Sequence, residues 1–238
     1  MKLDILAFAA HPDDIELSCA GTLLKHIADG KKVGVIDLTR GELGSRGTAE
    51  TRDSETKVAS AILNLNVREN LRLEDGFFRH DKESILEIVR MLRKYRPDVV
   101  LANALKDRHP DHGRAGRLVV DACFYSGLVK IGTEDQGKSQ EPWRPSHVYH
   151  YVQDTYVSPD FVIDITAFME RKMEAVMAYK TQFYSPGSQE PTTPISTPEF
   201  LEFLRARATE MGRNIQVRYA EGFTTVHPPG VESFFDLQ

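Results

Sequence analysis

Residues 3–9 form a short apolar run that stops at a turn, and from Ile15 the apolar positions Ile15, Cys19, Leu23, Leu24 and Ile27 recur at helical spacing until Gly30. This predicts a strand followed by a helix. A second strand follows at once over 32–38, with Val33, Val35 and Ile36, so the helix between the two makes a βαβ crossover and implies parallel strands. The polar stretch 39–50 carries Gly41, Gly44 and Gly47 and reads as a loop of functional length. After it the pattern predicts a helix over about 51–63 and a weak strand near 68–73.

Asp81 is placed to cap a helix whose Ile85, Ile88, Val89 and Leu92 share one face and which Pro97 ends; residues 98–102 then form a buried strand. Beyond it come a charged loop, a helix over 113–128, a polar excursion over 132–144, strands over 147–152 and 161–165, and helices over 167–183 and 199–215. Residues 185–198, rich in Pro, Ser, Thr and Gly, read as a flexible loop with too little chain beyond them for a further domain. Strands alternating with helices from the first residue onward point to an α/β fold, Rossmann-like, with three α/β/α layers and a mainly parallel sheet, spanning 1–238 as one domain. In the common strand order 3-2-1-4-5, strands 1 and 4 are neighbours, and the loops that follow them meet at the carboxyl edge of the sheet, where such folds bind ligands.

Composition narrows the function classes. The chain is 41% hydrophobic and 27% charged, within the ordinary globular range. Net charge is −5 and the 30 basic residues are dispersed, so there is no nucleic-acid footprint. Asp4 interrupts the first apolar run, and no run approaches the ~18 residues a spanning helix needs. The expectation is a cytoplasmic protein with no membrane partner. Cys19 and Cys123, the only two cysteines, supply neither a disulfide framework nor a four-cysteine zinc site and are expected to be buried free thiols.

Two clusters carry chemistry. After the first strand comes Ala10-His11-Pro12-Asp13-Asp14-Ile15-Glu16, and after the strand at 98–102 comes Asp107-Arg108-His109-Pro110-Asp111-His112. Either alone is explained by a helix cap or a polar loop. Two such clusters at adjacent strand ends have no comparable structural explanation, because burying so many ionisable groups costs several kcal/mol unless a metal or mutual pairing compensates. Imidazole and carboxylate donors suit Zn²⁺, and a catalytic zinc takes three protein ligands and leaves the fourth position to water or substrate. An aspartate beside a ligand serves as base; spacing alone does not say which of Asp13 and Asp14 ligates and which takes the proton. The loop 39–52 adds Arg40, Arg46 and Arg52, whose guanidinium forks suit carboxylates or a carbonyl developing negative charge.

AHPDDIE after the first strand, TRGELGSRG after the second and HPDH after the later one resemble the LmbE-like (PIG-L) N-acetylglucosamine deacetylases over nearly the whole chain. The segment Tyr219-Ala220-Glu221-Gly222-Phe223 through His227-Pro228-Pro229-Gly230 is similar too, and the nearest branch looks like the bacillithiol-pathway enzymes acting on N-acetylglucosaminyl-malate. The resemblance implies that His11, Asp14 and His112 bind zinc, that Asp13 is the general base, and that His109 stabilises the oxyanion or protonates the leaving group. It places Asp111 behind a ligating histidine and Arg52 against substrate, with Arg46 and Arg40 nearby. Fe²⁺ is compatible with the same donors. Relatives of this fold often assemble, so a homo-oligomer is expected, with a small amino-sugar conjugate as the substrate.

Competing readings are weaker. The glycines follow the second strand at G-x-x-G-x-x-G spacing, unlike the dinucleotide fingerprint. A non-haem iron oxygenase would use a similar triad, but Asp13 and the α/β alternation favour hydrolysis. A metal-dependent phosphoesterase commonly uses two metals and more carboxylates. A closed zinc-stabilised binding module needs a fourth ligand. His26, His80, His147, His150 and His227 read as surface or packing residues.

Overall fold

The chain runs β1 (Ile5–Ala9), α1 (Asp14–Ser18), α2 (Ala20–Ala28), β2 (Val33–Asp37), α3 (Ala49–Leu63), β3 (Val67–Asn70), α4 (Lys82–Tyr95), β4 (Val99–Ala102) and α5 (Pro110–Ser126). It continues through the hairpin strands β5 (Glu134–Asp135) and β6 (Lys138–Ser139), then β7 (His147–Tyr151), β8 (Phe161–Asp164), α6 (Met169–Met177), α7 (Pro198–Arg213) and β9 (Ala220–Thr224). The structure is a computed structural model that describes residues 1–236, so the last two positions of the expected 1–238 domain lie outside the described residues.

Seven strands form one sheet in the order β3-β2-β1-β4-β7-β9-β8. The first five are parallel, and β9 runs antiparallel between β7 and β8. This is the three-layer, mainly parallel architecture read from the sequence, with β1 beside β4. The β1 side chains alternate between two cores. Leu6 and Phe8 pack with Ile88, Val89 and Leu92 of α4 and Leu118 and Val119 of α5, whereas Ile5, Ala7 and Ala9 pack with Ile15, Cys19 and Leu23 on the opposite face. Asp81 accepts a hydrogen bond from Ser84 N at 2.9 Å and so caps α4 as its position predicts.

Three departures from the pattern stand out. The helix expected over 15–30 breaks at Cys19 (φ −135°, ψ 13°), and β9 falls where no strand was expected. The short β9 carries Glu221 and Gly222 in its interior, which masks the apolar alternation that signals a strand. Glu221 also accounts for the helix break: its carboxylate accepts Gly21 N at 3.0 Å and Thr22 N at 2.7 Å, satisfying donors of the first turn of α2, and pairs with Lys172 Nζ at 2.6 Å. Gly21 is required there, because a Cβ would fall 2.8 Å from the Ile165 side chain. The helix expected over 167–183 ends early, at Met177, and the backbone of residues 178–183 continues in turns that bury Tyr179 and Phe183 beside α7.

A buried ion network fixes α1 to the sheet. Arg68 on β3 donates through Nε and Nη2 to both oxygens of Asp37 at 2.8 and 3.0 Å, and through Nη1 to Glu16 at 2.5 Å. Glu16 sits two residues after Asp14 on α1 and also accepts from Tyr179 Oη at 3.3 Å. Burial pushes the Asp37 carboxyl up, and the Arg68 charge opposes that shift. Removing one partner of such a network strands the others without compensation. Arg68→Ala is therefore expected to lower stability by about 3–5 kcal/mol, read as a fall in denaturation midpoint with unchanged slope.

Candidate metal centre

The loops after β1 and β4 diverge to opposite faces of the sheet and leave a crevice at its carboxyl edge, tied across by Ala10 N donating to Asn103 Oδ1 at 2.9 Å. His11, Asp13 and Asp14 occupy one side. Asp13 has φ 110°, a conformation that side chains with a Cβ rarely adopt, and the turn holds it there as α1 begins. On the other side Pro110 opens α5, His109 is its N-cap, and His112 lies one turn in.

The donors converge. His112 Nε2 lies 3.1 Å from Asp14 Oδ1 and His11 Nδ1 lies 3.8 Å from Asp14 Oδ2. Donor atoms of His11, His109 and His112 fall within 4.8 Å of one another, as do those of His11, Asp75 and Asp111. The Nδ1 of His11 lies on the Asp14 side, whereas its Nε2 meets Asp75 Oδ1 at 3.1 Å and Asp111 Oδ2 at 3.4 Å. The second group reads as a brace for the ring, since both Asp111 oxygens already accept other donors, Gly76 N at 2.8 Å and Arg114 Nη1 at 2.6 Å. His112 is braced likewise by Asp107 Oδ2 on Nδ1 at 2.6 Å, with Asp107 Oδ1 accepting Thr155 N at 2.6 Å. Asp14 Oδ2 accepts His11 N at 3.0 Å and Asn103 Nδ2 at 2.9 Å, and Gln153 Nε2 reaches its Oδ1 at 3.4 Å.

The charge balance fits a cation. Burial disfavours charge on His11, but hydrogen bonds to Asp111 and Asp75 and the charge of Asp14 outweigh it and raise the imidazole to about 10. Burial also opposes charge on His112, yet Asp14 and Asp107 raise it to about 9. Burial raises the Asp14 carboxyl, and the facing His112 and His11 more than reverse that, holding it well below the usual range. The carboxylates thus draw protons onto both imidazoles, and a divalent ion held by two imidazoles and one carboxylate would take the place of those protons.

Asp13 is buried, and burial pushes its carboxyl up to about 7 against the nearby charge of Arg52. Arg52 Nη1 donates to Pro12 O at 2.8 Å and approaches Asp13 Oδ2 at 3.3 Å. The glycine loop wraps this guanidinium so closely that a Cβ on Gly41 would sit 2.9 Å from Nη1. His109 accepts Asp111 N on Nδ1 at 3.2 Å, which puts the proton of the neutral ring on Nε2. Burial and the charges of His11 and His112 lower its pKa and favour that neutral form.

These groups line a cleft of about 430 Å³ whose apolar side includes Leu43, Phe77, Ile195 and Phe200. Of the three loop arginines, the structure brings only Arg52 to it. Arg40 is engaged in surface ion pairs with Asp53 at 2.6 Å and Glu50 at 3.1 Å. Arg46 is buried and donates to Thr181 O at 2.5 Å, Ser188 Oγ at 3.0 Å and Pro191 O at 3.2 Å, so it pins a neighbouring loop and faces no ligand. The sequence reading missed Asp75, Asn103 and Gln153 and gave Asp107 no role. Asn103 and Gln153 lie just past the carboxyl ends of β4 and β7, the positions a parallel sheet reserves for ligand contacts, and that rule was their one available signal.

The chain is similar to several known proteins. The PIG-L profile, described as GlcNAc-PI de-N-acetylase, matches residues 6–123, the segment that holds both histidine motifs. Over 238 residues the chain is 30% identical to the diacetylchitobiose deacetylase of Thermococcus kodakarensis, covering 95% of this chain and 84% of that one. It is 25% identical over 247 residues to the 4-oxalmesaconate hydratase of Pseudomonas putida, covering 96% and 91% of the two chains. Among solved structures, a conserved protein of Thermus thermophilus superposes with a TM-score of 0.87 at 38% identity, over 98% of each chain.

The Asp107 brace provides a test of the centre. Asp107→Ala is expected to weaken divalent-cation affinity about 10–100-fold while the fold is retained, measured by competition with a chromophoric chelator. Unchanged affinity would remove His112 from the ligand set.

Proposed function

Because the chain belongs to the PIG-L/LmbE-like family of deacetylases, we propose that it is a zinc-dependent N-deacetylase that hydrolyses the acetamide of an N-acetylglucosaminyl conjugate, N-acetylglucosaminyl-malate in particular. The observation that carries this reading is the convergence of His11, Asp14 and His112 from two adjacent strand ends, with the Asp13 carboxylate on the same turn. Fe²⁺ suits the same donors, and availability would decide between the two.

A zinc ion held by His11, Asp14 and His112 would polarise the acetamide carbonyl and acidify a water in the cleft. The roles of the side chains follow from their surroundings. Asp13 takes the proton of the attacking water, and burial, which outweighs the nearby charges of Arg52 and His11, makes its carboxylate a stronger base than an exposed one. His109, neutral and protonated on Nε2, donates to the oxygen that gains charge as the carbonyl carbon becomes tetrahedral. The leaving amine collects the proton that Asp13 took from the water, which returns Asp13 to its carboxylate and closes the cycle. Arg52 holds the Asp13 turn through Pro12 O and presents its remaining N–H groups to the sugar. Asp111 and Asp75 hold the His11 ring in place.

A soluble cytoplasmic enzyme acting on a small conjugate is consistent with a chain in which no described helix is long and apolar enough to cross a membrane. Hydration, the reaction named for the Pseudomonas relative, also delivers a water oxygen to an electrophilic carbon, so acetate release is the discriminating readout.

Purified zinc-loaded protein is expected to release acetate and a primary amine from N-acetylglucosaminyl-malate faster than from free N-acetylglucosamine, and a chelator is expected to abolish this. Equal rates on both would retract the malate assignment, and no release from either would retract the deacetylase. Asp13→Asn is expected to lower kcat by about 10²–10⁴-fold with metal still bound, whereas His11→Ala and His112→Ala are expected to lose metal and activity together. Metal content by atomic absorption separates the two classes.

A further inference from the structure

Beyond the metal centre two further arginines line the cleft, together with Asp154. Arg207 on α7 and Arg108 in the loop after β4 line the same cavity as His11, Asp13 and Asp14. Arg207 Nη2 donates to Leu17 O at 3.0 Å, and its Nη1 donates to Gln153 O. Leu17 belongs to α1, which begins with Asp14, and Gln153 Nε2 reaches Asp14 Oδ1 at 3.4 Å. This guanidinium is thus anchored on both sides to elements that touch the metal-ligand set.

Its charge is not neutralised by contact. The two carbonyls use two of its five N–H groups, and among the described residues no carboxylate oxygen lies within 4.0 Å of it. Asp154, Glu221 and Asp107 act on it only through space, and burial lowers its pKa. An arginine does not escape such a setting by losing its proton. Arg108 stands nearer solvent, its side chain 57% exposed, with Nε on Asp154 Oδ2 at 2.7 Å. Its terminal N–H groups make no hydrogen bond among the described residues. Of the loop arginines that the sequence suggested for an anion, Arg40 pairs with surface carboxylates and Arg46 with a neighbouring loop, and only Arg52 lines the cleft.

We infer that Arg207 and Arg108 form an anion subsite for the part of the substrate remote from the acetamide, a carboxylate or phosphate on the group attached to the sugar. The inference rests on the deacetylase reading of the neighbouring centre and adds to it the residues that select the conjugate. Guanidinium forks pair with carboxylate and phosphate oxygens through parallel hydrogen bonds, so the subsite discriminates by charge and shape together.

The test compares kcat/KM of the zinc-loaded enzyme on N-acetylglucosaminyl-malate, N-acetylglucosamine 1-phosphate and neutral methyl N-acetylglucosaminide. In Arg108→Ala and Arg207→Gln the ratio of anionic to neutral kcat/KM is expected to fall about tenfold, through KM, as the loss of a charge-assisted hydrogen bond predicts. Arg207→Lys is expected to recover part of the loss. Arg205→Ala, which removes a surface pair with Glu170 on the same helix, is the control and is expected to leave the ratio as it is. A fall for the malate conjugate alone names a carboxylate as the ligand, a fall for the phosphate alone names a phosphate, and a fall for both names any anion of that size. Equal losses on neutral and anionic substrates would show Arg207 to be a structural clamp and overturn the subsite. Should the wild-type enzyme deacetylate none of the three, calorimetric titration with N-acetylglucosaminyl-malate decides separately: binding weakened by Arg108→Ala keeps the subsite, and binding absent or unaffected removes it.

Discussion

Carboxylates gathered at the end of β1 and β4 impose the main constraint on this structure. Asp13 and Asp14 are buried there, Asp14 facing the His11 and His112 imidazoles, with Asp111 and Asp75 behind one ring and Asp107 behind the other. Charges in such a place are tolerated only where counter-charges and hydrogen bonds meet them, and the surroundings of the site are organised to do so. Arg52 approaches Asp13, Asn103 and Gln153 serve Asp14, and the Arg68 network anchors α1 from below. Protons on His11 and His112 meet the charge that is left, and a divalent cation held by His11, Asp14 and His112 would take their place.

The same balance of charge explains the arginines. A guanidinium in a polar loop beside a reactive centre invites a substrate role, yet each of the three loop arginines is disposed of differently. Arg40 satisfies itself with neighbouring carboxylates in solvent, Arg46 with backbone carbonyls of a loop some 135 to 145 residues away in sequence, and Arg52 with the Pro12–Asp13 turn. Arg207, lying in an ordinary amphipathic helix, ends in the cleft without a contacting carboxylate. Arg46 and Arg207 both donate to backbone carbonyls, and what separates them is place: only Arg207 lines the cleft.

The elements of the fold were legible where periodicity was undisturbed. The βαβ start, the α4 cap at Asp81 and the placement of both histidine motifs after strands follow from apolar spacing and cap chemistry. The break at Cys19 and the strand β9 were not legible, because one residue, Glu221, causes the first and disguises the second. A buried glutamate inside a strand contradicts the pattern that identifies strands, and its role exists only once α2 and Lys172 are packed against it.

Sequence by itself determined the alternating α/β architecture, the resemblance that leads to the family, and the histidines and aspartates of the candidate metal centre, since these depend on local periodicity and on short motifs contiguous in the chain. Tertiary structure alone decided that Asp75 and Asp107 brace the rings and which arginines line the cleft. Those outcomes depend on contacts between residues distant in the chain, such as Asp75 with His11 and Gln153 with Asp14, and the periodicity of a segment carries no information about the partners that folding brings to it.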